Sequence, residues 1–193
     1  GSYQLNNAAC AVTAVDSLRF KLPVSNDAVA KAMREVTLAG RFQTVFNKNS
    51  VKVILDVAHN PHAANALAEN LKVFKRQDGR TFAVFAMLAD KDIQGVITAL
   101  KDEIDVWYLA GIDNVRGISA AELASILIKT VPAAIYKTFE AAADAYLQAS
   151  IDIEACIDGN ENDKIVVFGS FFTVSNVMQL LSDDLTKVDC QKN

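Results

Sequence analysis

The sequence predicts an α/β chain: a mostly parallel sheet with helices on both faces, preceded by two helices. Three observations carry this. From residue 51 onward, short apolar stretches alternate with longer segments of helical periodicity. Those short stretches are continuous and β-branched, as strands buried on both faces are. When a helix separates successive strands, the chain returns to start each strand in the same direction, so neighbours run parallel. Together these describe a Rossmann-like sheet.

The elements follow in order. Residues 1–36 read as two helices. Asn6 or Asn7 is placed to cap the first, with Ala8, Val12, Val15 and Leu18 on its apolar face. Leu22-Pro23 breaks it. Ser25 or Asn26 caps the second, which carries Ala28, Val29, Ala32, Met33 and Val36. Gly40 then offers a stop or hinge, so a domain boundary is expected between residues 1–39 and 40–193. Strands are expected at Gln43–Phe46, Val51–Asp56, Thr81–Ala86, Asp105–Leu109, Ala133–Tyr136 and Lys164–Phe168. Turn residues 47–50 make the first two a hairpin. Helices are expected near 62–74, 92–102, 119–129, 139–150 and 172–182. Residues 159–163 read as a polar loop, and the tail after Ser182 as frayed.

Composition narrows the function. Hydrophobic residues make up 51% of 193, with 8 Gly and 3 Pro, which excludes collagen-like and broadly disordered chains. A net charge of −4 offers no basic excess for phosphate backbones, so nucleic acid is not an expected partner. Cys10, Cys156 and Cys190 are odd in number and lack metal-like spacing, and read as ordinary thiols of the cytoplasm. No apolar run approaches the roughly 18 residues of a membrane span. Gly1-Ser2 without an initiator Met reads as an expression scar on a piece of a longer protein.

Open parallel sheets hold ligands at the carboxyl ends of their strands. After the second strand comes Asp56-Val57-Ala58-His59-Asn60-Pro61-His62. Asn60 suits a helix cap and Pro61 the first helical position, whose amides favour an anion. Asp56 either accepts from a ligand or satisfies loop amides; both readings stay open here. His59 and His62 lie three apart with no third ligand, which argues against a metal. After the third strand, Asp90 or Asp92 suits a cap, and Lys91 is either a solvated neighbour or an anion contact. The loop before the Ser119–Glu122 capping box carries Arg116, a ligand candidate or a plain surface residue. Gly169-Ser170 could face backbone amides to a small anion or simply cap a helix. Neither a G-x-x-x-x-G-K-[ST] loop nor a G-x-G-x-x-G run is present.

Four ordered segments then carry a resemblance: Gly40-Arg41-Phe42-Gln43, Asp56 through Ala64, Met87 through Asp92, and Gly169 through Val174. The chain resembles the C-terminal part of the Mur-ligase-like folate ligases, the dihydrofolate synthase/folylpolyglutamate synthases. The resemblance implies an ATP-dependent amide ligase in which ATP activates a carboxylate of a pterin-bound substrate and L-glutamate attacks it. It implies a Mur ligase C-terminal domain at 40–193, with 1–39 as the last helices of a preceding ATPase domain. By the same resemblance Asn7, Arg41 and Asp56 contact the nucleotide, His59 is a catalytic-site residue, and Ser170 helps form the glutamate pocket. Asn6 stands where the family has Pro. Magnesium ligands are expected in a preceding segment, with no metal site here. The parent enzyme is expected to be a cytoplasmic monomer whose partners are small molecules, with neither nucleic acid nor membrane. Lacking the phosphate loop, this chain alone is expected to be inactive. The alternatives are another Mur-type ligase, acting on a peptidoglycan precursor, or a non-catalytic anion-binding module.

Overall fold

The computed structural model describes residues 2–36, 38–75, 79–155 and 162–190, with side chains over 5–36, 38–72, 79–155 and 162–182. The chain divides into two units, Gly1–Leu38 and Ala39–Asn193. The expected polar loop at 159–163 falls mostly outside the described residues.

The first unit holds α1 (Ser2–Ser17) and α2 (Asn26–Glu35). Asn6 and Asn7 do not cap α1; both lie inside it. The helix begins upstream because extending it gains backbone bonds that a local asparagine cap would forgo. It also ends before Leu22-Pro23, in a turn where the Lys21 and Leu22 amides donate to the Leu18 carbonyl. Ser25 caps α2 by accepting from the Ala28 amide at 3.2 Å. No α2 residue is buried, and Leu5, Phe20, Leu22 and Val36 are exposed.

The second unit is built on a six-stranded sheet. Its strands are β1 (Gln43–Phe46), β2 (Lys52–Leu55), β3 (Thr81–Phe85), β4 (Val106–Ala110), β5 (Ile135–Phe139) and β6 (Lys164–Phe168). They lie in the order β1-β2-β6-β3-β4-β5. β1 pairs antiparallel with β2, Gln43 opposite Leu55, and every other pairing is parallel. The hairpin turn is held by Asn47, whose Oδ1 accepts from the Asn49 and Val51 amides at 3.0 and 2.9 Å.

Alternation along each strand sends side chains to two cores. Ile54, Phe85, Trp107 and Phe168 face one, under α3 (Pro61–Lys75), α4 (Ile93–Leu100) and α5 (Ala120–Thr130). Val53, Val84, Tyr108 and Val167 face the other, under α6 (Ala142–Ala155) and α7 (Phe171–Cys190). Phe85 and Phe168 stack at 4.7 Å between centroids, and Trp107 meets Phe85 edge-on at 5.8 Å. Each such side chain contributes about 1.5–3 kcal/mol by leaving water.

The expectation of strands buried on both faces holds for β3 and β6 and fails for β5, which is largely exposed. β5 is the outer strand, paired with β4 alone, and starts two residues late because Val131–Ala134 forms a turn. α7 continues past Ser182 to Cys190, over a stretch with no Gly or Pro to stop it. Among the described residues no helix is long and apolar enough to cross a membrane.

The strand order creates the crevice. β6 lies between β2 and β3, and its helix leaves to the opposite face from theirs. The loops after β2, β3 and β6 therefore diverge at one point on the carboxyl edge, where such folds hold ligands.

Candidate functional site

The turn ahead of β1 brings Arg41 to this edge. Gly40 and Phe42 have φ of +65° and +48°, left-handed values that glycine tolerates and phenylalanine rarely adopts. The Gly40 amide donates to Gln43 Oε1 at 3.0 Å, and the Gly40 carbonyl accepts from the Val57 amide at 2.8 Å. Arg41 stands 6.0 Å from the centroid of the Phe171 ring.

Asp56 follows β2. Its Oδ2 accepts from the Phe42 amide at 2.9 Å and its Oδ1 from the Ala58 amide at 2.8 Å. Burial pushes its carboxyl above the ordinary range, against the pull of those two amides and of the Arg41 charge. His59 Nδ1 lies 2.8 Å from the Val57 carbonyl, which only accepts, so Nδ1 carries a proton. In the neutral ring Nε2 then holds the lone pair. Asn60 caps α3, accepting from the Ala63 amide at 2.9 Å, and Pro61 is the first helical residue as expected.

From β3, Asp90 meets Lys91 at 2.9 Å and Arg116, from the loop after β4, at 2.9 Å. Lys91 and then Arg116 hold the Asp90 carboxyl below its ordinary range. Asp92, not Asp90, caps α4 through the Gly95 amide. The Ser119–Glu122 capping box forms as expected.

From β6, Ser170 is buried and fully engaged at its hydrogen. Thr173 Oγ1 must donate to the Ala86 carbonyl at 2.7 Å, so it accepts from Ser170 Oγ at 2.6 Å. Ser170 Oγ in turn accepts from the Thr173 amide at 3.0 Å, capping α7.

These loops enclose a cleft of about 190 Å³ lined by His59, Lys91, Arg116, Ser170, Phe171 and Phe172. The structure thus brings His59 and Ser170 into one cleft, with Arg41 beside its Phe171 wall and Asp56 beneath the Arg41 turn. Asn7 lies on α1, exposed, in the first unit. Sequence reasoning favours a solvated Lys91 beside its cap and divides evenly over Arg116, because a lone cation looks the same on a bare surface. Their signal is positional: both follow strand tips. Among the described residues no three His, Cys, Asp or Glu side chains gather to hold a metal.

Residues 40–171 match the family described as Mur ligase, glutamate ligase domain. The dihydrofolate synthase/folylpolyglutamate synthase of Escherichia coli K12 is 39% identical over 172 residues, covering 89% of this chain and 37% of that protein. A solved Escherichia coli structure in complex with DHPP and ADP superposes with a TM-score of 0.75 at 35% identity, covering 97% of this chain and 39% of that one. A bifunctional folylpolyglutamate synthase/dihydrofolate synthase with Mn, AMPPNP and L-glutamate bound gives 0.69 at 36% identity, covering 84% and 36%. The chain therefore spans about two fifths of the length of the curated relatives it matches. The family match over residues 40–171, which hold all six strands of the sheet, leads to one conclusion: the chain belongs to the Mur ligase, glutamate ligase domain family.

Proposed function

We propose that this chain supplies the glutamate-side half of an ATP-dependent ligase that adds L-glutamate to dihydropteroate or a reduced folate. The cleft carries the reading: Lys91 and Arg116 offer cationic donors for a glutamate carboxylate, beside a histidine with an acceptor nitrogen. Relatives of similar sequence that bind L-glutamate and adenine nucleotides support it.

The roles divide by chemistry. The nucleophilic amine must lose a proton as the amide forms, and His59 Nε2 is the group suited to take it. Ser170 has no hydrogen left for a carboxylate, so it would accept from the amine. Arg41 would meet the nucleotide phosphates, with Asn7 and Asp56 completing the nucleotide contacts. A magnesium ion would neutralise phosphate charge, held in this reading by ligands of a preceding segment.

In this reading residues 1–39 are the last helices of an ATPase domain, and the exposed Leu5, Phe20 and Leu22 are faces made for it. The chain alone has no phosphate loop and is inactive. The parent enzyme works as a cytoplasmic monomer. The test restores the preceding segment and follows ADP release with dihydropteroate or a reduced folate, each with and without L-glutamate. Release that needs both substrates and is lost in Arg116→Ala supports the proposal. Release driven instead by a peptidoglycan-type acceptor would assign the chain to another Mur-type ligase, and none with either would leave an anion-binding module.

A further inference from the structure

We infer that Phe172 is a specificity-determining residue: its exposed ring forms the rim on which the aminobenzoyl ring of dihydropteroate rests while its acyl carbon meets the cleft. The inference deepens the function proposed above and rests on it for the identity of the acyl substrate.

The cleft is small. At about 190 Å³ it falls below the roughly 300–1,000 Å³ of pockets that enclose larger ligands, and it suits one amino acid. The other reactant must therefore meet the amino acid at the rim. In dihydropteroate the reacting carboxyl is bonded directly to a benzene ring, so amide formation carries that ring to the cleft mouth. There the C–N bond forms as the C–O bond to phosphate breaks, and the amine gives its proton to His59. Phe171 and Phe172 stand at this mouth, directly after Ser170 on the first turn of α7, and are 61% and 50% exposed. Apolar surface gathered at the mouth of a cleft is surface that a ligand can cover.

The two rings are not equivalent. Phe171 has the Arg41 guanidinium 6.0 Å from its centroid. Phe172 stands instead between the cleft and a second hollow of about 330 Å³, lined also by Asp113, Glu140, Asn176 and Gln179. Charge decides what can lie at that boundary. Lys91 and Arg116 draw carboxylates into the cleft, whereas Asp113 and Glu140 repel them from the far side of Phe172. A neutral ring meets no such repulsion. In dihydropteroate the atoms beside the reacting carboxyl are a neutral aryl ring. In a reduced folate they are an aliphatic chain bearing a further carboxylate, which the acidic hollow disfavours. Phe172 thus offers a contact that only the aryl acyl group can use fully.

The test uses the ligase with its preceding segment restored, and compares Phe172→Ala with Phe172→Tyr. At saturating ATP and L-glutamate, kcat/KM is measured for dihydropteroate and for a reduced folate. Phe172→Ala should lower kcat/KM about tenfold more with dihydropteroate than with the reduced folate, the size of one lost aromatic contact. Phe172→Tyr keeps the ring and should restore the parent preference. Neither change should move the melting temperature much, because the side chain is half exposed. Equal losses with the two acceptors, or a preference that tyrosine does not restore, would overturn the inference and leave the ligase reading intact. Turnover confined to reduced folates would also overturn it, since no aryl acyl group is then used. No turnover with either acceptor would overturn the proposed function, and the inference with it.

Discussion

Arg116 and Asp90 face each other across two loops, with Nη2 2.9 Å from both carboxylate oxygens and Nε 3.2 Å from one. The pair ties the loop after β4 to the loop after β3, beside a backbone bond from the Ala89 amide to the Arg116 carbonyl at 2.8 Å. Both side chains are about half exposed, so its contribution to stability is small. Its consequence is orientation. The Nε and Nη2 edge is occupied by Asp90, while Arg116 also lines the cleft.

Arg116→Ala should therefore weaken L-glutamate binding by about tenfold or more, the effect of losing one charge-assisted bond. The melting temperature should barely change. Calorimetric titration with L-glutamate and a thermal melt on the same sample check both halves.

His59→Asn keeps an N–H near the position of Nδ1 and should preserve the loop, while removing a base near Nε2. In the longer ligase it should lower turnover by about a hundredfold or more. Near-normal ADP release by a well-folded His59→Asn ligase would remove His59 from the chemistry.

Thr173→Val deletes the hydroxyl that joins Ser170 to the Ala86 carbonyl. It should cost about 1–3 kcal/mol, because it strands buried partners, and Thr173→Ser should cost much less. Ser170→Ala also removes the cap of α7, worth about 1 kcal/mol. Urea unfolding gives these values, and any activity loss in Ser170→Ala must be read after allowing for them.

Gly169 has φ +110°, and a Cβ there would lie 2.4 Å from the Ala86 carbonyl oxygen. Gly169→Ala should destabilise the chain by about 2–4 kcal/mol, through backbone strain and displacement of β3. That corresponds to a fall of roughly 5–15 °C in melting temperature.

Asp152 supplies a pH dependence. Burial acts against its charge, but Lys137, then Tyr108 and Gln148, outweigh it and hold the carboxyl below its ordinary range. The Tyr108 hydroxyl donates to it at 2.6 Å. A carboxyl lowered in the folded state stabilises at pH above the unfolded value of 3.8, and that stabilisation is lost as pH falls through the folded value. Asp152→Asn should thus be less stable than the parent chain at neutral pH, with the gap closing under acid. Unfolding curves across pH 2–7 test the sign; a gap that widens under acid would contradict it.

The sequence by itself determined the layered fold and most of its elements, because alternation of strand and helix periodicities is local. Val53-Ile54-Leu55 and Ile165-Val166-Val167 state in their composition that they are buried on both faces. Caps such as Ser25, Asn60 and Ser119 were legible for the same reason, since donor and acceptor lie three residues apart. The start of α1 was not, because a helix competes with its own asparagines over several turns. Nor was the exposure of β5, which depends on its place at the edge of the sheet. The motif residues marked where the site lies, but not what each side chain does there. From its residue type Asp56 reads equally as a ligand contact or a loop acceptor, and that its carboxylate takes the amide of Phe42, 14 residues away, is visible only in the fold. That Lys91 and Arg116 line one cleft depends on β3 and β4 pairing and setting their loops side by side. Tertiary structure decided these contacts because hydrogen bonds and charge pairs act over a few ångströms in space, whatever the distance along the chain.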